Sequence, residues 1–181
     1  MATTTNLLSW QAFEQLPDDG MHREVIEGEL ISLPPPKSRH SIVAHNALRA
    51  LLPIEERARG KVLVEAGYKL RDDPPTWIQP DVSFLRGDQI QRAAPDGYFF
   101  DAPELAIEIV SPSESARDME RKIDVLLAAG AHTVWVIYPE SRKVRVFLRD
   151  GTSYSRGLTD KLSLPNLLPD WELPVSKLFE E

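Results

Sequence analysis

The chain has 181 residues and a net charge of −7, from 21 basic and 28 acidic side chains; that length suits one domain with a proper core, and the acidic balance argues against a general nucleic-acid coat protein. Cysteine is absent, which excludes disulfides, thiolate metal sites and cysteine nucleophiles and fits a reducing cytoplasm. No apolar run approaches the roughly 18 residues that span a bilayer, and Met1 to Asn6 lacks the basic-then-apolar order of a secretion signal, so a soluble, cytoplasmic protein is expected.

Ser9 is the expected N-cap of a short helix carrying Trp10, Phe13 and Leu16, stopped by Pro17 and Gly20. His22 to Leu33 reads as two strands turning near Glu27-Gly28-Glu29. Pro34 to Pro36 forms a stiff spacer without backbone donors. A second helix starts near Ser38 and ends by Gly60, with Pro53 breaking or kinking it. Lys61 to Leu70 alternates like a half-buried strand, with Val62 and Val64 on one face. A Pro-rich loop over Asp72 to Gln79 leads to a strand beginning at Asp81.

Residues 87–103 are expected to be a long polar loop. Leu105 to Val110 is a nearly unbroken apolar run, the mark of a central strand covered on both faces. Ser111-Pro112-Ser113-Glu114 matches a capping box, opening a helix that runs to Ala129 and closes at Gly130. Thr133 to Tyr138 and Lys143 to Leu148 read as strands joined by a tight turn, and residues 157–181 as an irregular tail. The expected architecture is a single α/β domain over 1–181. It comprises an N-terminal helix and hairpin to residue 36, then a core of mixed sheet flanked by helices over 37–156.

Charge is unevenly spread. Lys37 to Lys61 holds six basic and two acidic residues, whereas Asp72 to Glu108 holds eight acidic and two basic. Such a pattern suits a phosphate-binding surface, with Arg39, Arg49, Arg57 and Arg59 as its cations, beside a metal site. It equally describes a solvated helix face followed by a solvated loop.

Three residues carry the chemistry. Glu108 lies inside the buried run 105–110, where an unpaired carboxylate costs several kcal/mol and calls for a cation, a metal or a proton. A structural ion pair would satisfy it as well. Asp81 heads the preceding strand; its simplest role is a turn hydrogen bond. Two carboxylates entering one sheet side by side would repel unless a divalent cation lay between them, and oxygen-only ligation suits Mg²⁺ or Mn²⁺. Lys122 falls at the edge of the apolar stripe of Met119, Ile123, Leu126 and Leu127, while Arg121 points nearly opposite. Its stem can cross the core and bring the ammonium to the strand end. The alternative is an i,i+4 surface pair with Asp118. His40 and His45 are five apart, the wrong spacing for two ligands on one helix face.

These residues also carry a resemblance. Ile78-Gln79-Pro80-Asp81-Val82, the stretch Pro103 to Ser113, then Asp118, Lys122, Ala129-Gly130 and Trp135 resemble the putative restriction endonuclease family. Trp10, Glu24 to Glu29 and His40 resemble that family's N-terminal signature. This bacterial group is related to the PD-(D/E)XK nucleases. The resemblance implies a restriction-endonuclease-like fold, divalent-metal-dependent cleavage of phosphodiester bonds in DNA, and a homodimer. It makes Asp81 and Glu108 the metal carboxylates. Val110 occupies the superfamily's usual lysine position, so the amine comes from the following helix as Lys122, positioning or helping to deprotonate the attacking water. Glu24 or Glu27 is implied as an auxiliary acid, and Asp118 as a partner orienting Lys122. A nuclease fold retained for binding without cleavage is the competing reading.

Overall fold

The computed structural model describes residues 7–17, 19–93 and 97–181. Helix α1 (Trp10–Glu14) is capped by Ser9, whose side chain accepts from the Ala12 N–H. Strands β1 (His22–Ile26) and β2 (Glu29–Leu33) form the expected hairpin, turning through Glu27 and Gly28, both at positive φ. Helix α2 (Ser38–Leu51) buries Val43, Ala47 and Leu51. Pro53 interrupts it as anticipated: a 3₁₀ turn over Leu52–Ile54 precedes the short helix α3 (Glu55–Ala58).

The stretch Lys61 to Leu70 is not one strand. It divides into β3 (Gly60–Val64) and β4 (Tyr68–Arg71), which belong to different sheets. The break comes at Glu65, which sits at positive φ. The Pro-rich loop contains a short strand, β5 (Thr76–Ile78), the fourth in chain order of the sheet that holds β1, β2 and β4. Then come β6 (Val82–Arg86), helix α4 (Gly87–Arg92), β7 (Leu105–Ile109), helix α5 (Ala116–Ala128), β8 (Thr133–Tyr138), β9 (Lys143–Leu148) and β10 (Ser153–Arg156). The expected loop at 87–103 therefore starts as a helix, capped at its N-terminus by the Gln89 side chain accepting from the Arg86 N–H at 3.0 Å.

Helix α5 starts later than its sequence suggests. Its N-cap is Ser115, which accepts from the Asp118 N–H, while Ser111 to Glu114 forms a separate turn. The tail is also more ordered than expected. Residues 161–174 pair as β11 (Lys161–Leu164) and β12 (Leu168–Pro174), followed by a 3₁₀ turn over Val175–Phe179. The prolines that suggest irregularity are tolerated because this two-stranded ribbon has no interior strand. Leu162, Leu164, Leu173, Val175 and Leu178 pack into the main core.

Six strands form the main sheet in the order β10-β9-β8-β7-β6-β3, with β7 and β8 parallel and joined through α5. A second sheet runs β2-β1-β5-β4. Gly60 is required where β3 meets β6, since a Cβ there would stand 2.1 Å from the Leu85 carbonyl oxygen.

Strand β7 is buried along its whole length and sorts its side chains by parity. Leu105, Ile107 and Ile109 join the core beneath α2, with Trp135 and Val146. Ala106 faces the other layer, with Met119, Ile123 and Leu126 of α5. Glu108, two residues on, projects to that second layer. The site is built there. No helix among the described residues is long and apolar enough to cross a membrane.

Candidate active site

Asp81 stands one residue before β6. The ladder pairs Val82 with Ile107, so continuing it by one step brings Asp81 beside Glu108. The backbone completes the placement: the Ile109 N–H donates to Asp81 Oδ2 at 2.6 Å. From α5, the Lys122 ammonium donates to Glu108 Oε2 at 2.7 Å. Lys122 belongs to the buried face of α5, with Met119, Ile123 and Leu126. Asp81, Glu108 and Lys122 thus converge from a loop, a strand and a helix.

Of the two acids considered as auxiliaries, one joins them. Glu24 on β1 is fully buried, accepts from the Gln79 N–H at 2.9 Å and lies 3.0 Å from Lys122 Nζ. Glu27 does not. It occupies the hairpin turn, where strand reversal points it away to Arg71 and Arg121. Among the described residues Lys122 pairs with Glu24, Glu108 and Glu114 and not with Asp118, whose carboxylate accepts from Ser115 Oγ at 2.6 Å in the cap of α5.

Two members of the cluster are absent from the sequence reading. Glu114, there treated as part of a capping box, places Oε1 3.7 Å from Lys122 Nζ. His40, set against His45 as a metal ligand and noted in the family's N-terminal signature but given no role at the site, brings Nε2 within 3.0 Å of Asp81 Oδ1. The overlooked signal is its spacing: His40 precedes Val43, Ala47 and Leu51 by three, seven and eleven residues, on the buried stripe of α2.

Four carboxylates (Glu24, Asp81, Glu108, Glu114) therefore face one lysine and two histidines, His40 and His22, the latter with Nε2 3.7 Å from Glu24 Oε1. Burial raises the Glu108 carboxyl well above the usual range; Lys122 opposes this, while Glu24, Asp81 and Glu114 reinforce it. Burial also raises Glu114. Burial would lower the Lys122 ammonium, but Glu108, Glu24 and Glu114 together hold it well above its ordinary value, so it stays charged. For His40, burial pulls downward and is outweighed by Asp81, with Glu114 and Glu65 adding to the rise.

An excess of buried negative charge fits a divalent cation. Glu108 Oε1 is buried and has no hydrogen-bond partner among the described residues. It lines a cavity of about 40 Å³ with His40, Asp81, Glu114 and Lys122, space on the scale of a partly hydrated ion. Among the described residues no three His, Asp or Glu side chains form a ready-made ligand set. Mg²⁺ does not need one, since it takes one or two carboxylates, waters and substrate phosphate.

The profile of the family described as "Putative restriction endonuclease" matches residues 10–176. The chain belongs to this family. No curated protein matches the sequence. Among solved structures, the chain is similar to a putative nuclease belonging to DUF820 from Anabaena variabilis, with 22% identity and a TM-score of 0.83 over 95% of this chain and 97% of that one. The fold is the restriction-endonuclease-like one that the sequence motifs imply. Val110 follows β7 directly, and the acid it neighbours in sequence is Glu108. Lys122 reaches the same acid from α5.

Proposed function

We propose that the chain is a divalent-metal-dependent endonuclease that hydrolyses phosphodiester bonds in DNA. One observation carries the reading above all: Glu108, an acid with an unpartnered buried oxygen, lies beside Asp81 in a small cavity reached by a buried lysine. Asp81 and Glu108 would hold Mg²⁺ or Mn²⁺. Bound there, the ion supplies polarisation of a phosphoryl oxygen and a more acidic water.

The chain's own groups do the rest. Lys122 presents a fixed positive charge where negative charge builds on the phosphate. Glu24 and Glu114 hold its ammonium from two further sides. Arg39, Arg49, Arg57 and Arg59 are all exposed, on or just after α2 and α3, and are proposed as the phosphate-backbone contacts. A homodimer is proposed from the family resemblance, to be checked by sedimentation.

The test is Mg²⁺-dependent cleavage of plasmid and single-stranded DNA by the full chain, beside D81N and E108Q. Cleavage by the wild type alone supports the reading. A second reading, binding without cleavage, draws on the Lys122 contact that already satisfies Glu108 Oε2. DNA binding with no cleavage in either metal would favour it.

A further inference from the structure

We propose that His40 is a positioning residue for Asp81, holding its carboxylate in the orientation that receives the metal ion; the proposal rests on reading Asp81 as a metal carboxylate. Asp81 precedes β6 and lies beyond the last ladder pair, so strand pairing does not fix its side chain. Two hydrogen bonds do so: the Ile109 N–H on Oδ2 at 2.6 Å and His40 Nε2 on Oδ1 at 3.0 Å. One donor on each oxygen fixes the carboxylate plane. A carboxylate has about four lone-pair sites, so each oxygen keeps one for an ion.

His40 is itself held in place. It continues the stripe of Val43, Ala47 and Leu51 by which α2 packs on the main sheet, and its side chain is 16% exposed. Among the described residues its other ring nitrogen, Nδ1, is buried without a partner. The contact with Asp81 is therefore the one hydrogen bond the ring makes to described residues. A residue serving only to pack α2 would be apolar, because an unmet buried polar atom costs stability. Groups that hydrogen-bond to ligating carboxylates tune metal affinity by orienting them.

The experiment measures Mn²⁺ affinity of the full chain at one fixed pH, by the electron paramagnetic resonance of free Mn²⁺, with melting temperature recorded alongside. H40A should bind Mn²⁺ about tenfold more weakly or worse. H40Q, whose amide can donate from near the Nε2 position, should recover most of the affinity. H45A, exposed on the same helix, should match the wild type. Should H40A fail to fold, H40N against H40Q makes the same comparison, since the shorter amide does not reach Oδ1. Unchanged or tighter binding in the variant lacking the donor overturns the role of His40 and leaves the Asp81 and Glu108 assignment standing. Equal loss of affinity and melting temperature in H40A and H40Q means packing alone and also overturns it. A wild type that binds no Mn²⁺ overturns the metal reading and this proposal together.

Discussion

Lys122 Nζ lies 2.7 Å from Glu108 Oε2, and each side chain is 3% exposed. A lysine so deeply placed is no surface pair. Removing one partner of a buried ion pair leaves the other charge uncompensated, and here three carboxylates would lose their common cation.

Lys122→Met should therefore destabilise the fold by about 3–5 kcal/mol, against at most about 0.5 kcal/mol for an exposed pair. Urea denaturation measures the difference. In the fraction that remains folded, single-turnover cleavage should fall roughly a hundredfold or more. Mn²⁺ affinity should hold or tighten, since a competing cation has gone. Arg121 is no neutral control, because it bonds Glu29 and donates to the Ile26 carbonyl at 3.1 Å. Arg117→Met is the better one: it is exposed on the same helix and should shift stability by no more than about 0.5 kcal/mol.

Asp81→Asn and Glu108→Gln should each abolish Mn²⁺ binding in calorimetry while leaving the circular dichroism spectrum unchanged. Glu108→Gln should cost at most about 1 kcal/mol at neutral pH. It removes a carboxyl whose charged form burial and the neighbouring carboxylates disfavour, while the amide oxygen can still accept from Lys122, without the charge. Unaltered affinity in both variants would place any metal elsewhere.

Neutralising Arg39 and Arg49 together should weaken DNA binding and flatten its dependence on salt. Each phosphate contact contributes about 0.9 to the slope of log affinity against log salt, so the loss should be roughly two units. Titrations at several salt concentrations read the slope directly. No change would mean that the DNA backbone lies on another face.

Glu55 offers a pH test remote from the site. Its carboxylate accepts from the Val62 N–H at 2.8 Å and Lys61 Nζ at 3.0 Å, tying α3 to β3. Burial would raise its carboxyl, but these two bonds outweigh burial and lower it. A lowered folded value means the unfolded chain takes up the proton first, so the stabilisation is complete above the ordinary value of 4.5 and is lost as pH falls through the folded one. Glu55→Gln should cost about 1 kcal/mol at pH 7. Wild type and variant should converge in urea melts as pH falls below the ordinary carboxyl value of 4.5.

The carboxylate Glu108 was legible because an acid in the run 105–110 contradicts everything around it, and burial follows from local pattern. The same holds for β7, β8 and β9, whose apolar periodicity is strong, and for the break at Pro53. The family motif in the linear order of residues reached Asp81 and Lys122 as well. Of the strands that local sequence does not announce, β5, β10 and β11 are short and β12 is interrupted by proline; their pairing partners, rather than their own propensity, decide their conformation.

What only the tertiary structure decided is which charges meet. Glu24 and Glu27 lie three apart in sequence, yet strand parity and the hairpin turn send Glu24 to Lys122 and Glu27 to Arg71 and Arg121. Glu114 and Asp118 are four apart in sequence, and the N-cap at Ser115 claims Asp118 while leaving Glu114, outside the helix, to the site. His40 meets Asp81 across 41 residues. Local sequence sets whether a side chain is buried, through periodicity. The partner of a buried charge depends on sheet register and on how α2 and α5 cross the sheet, and those are properties of the packed chain alone.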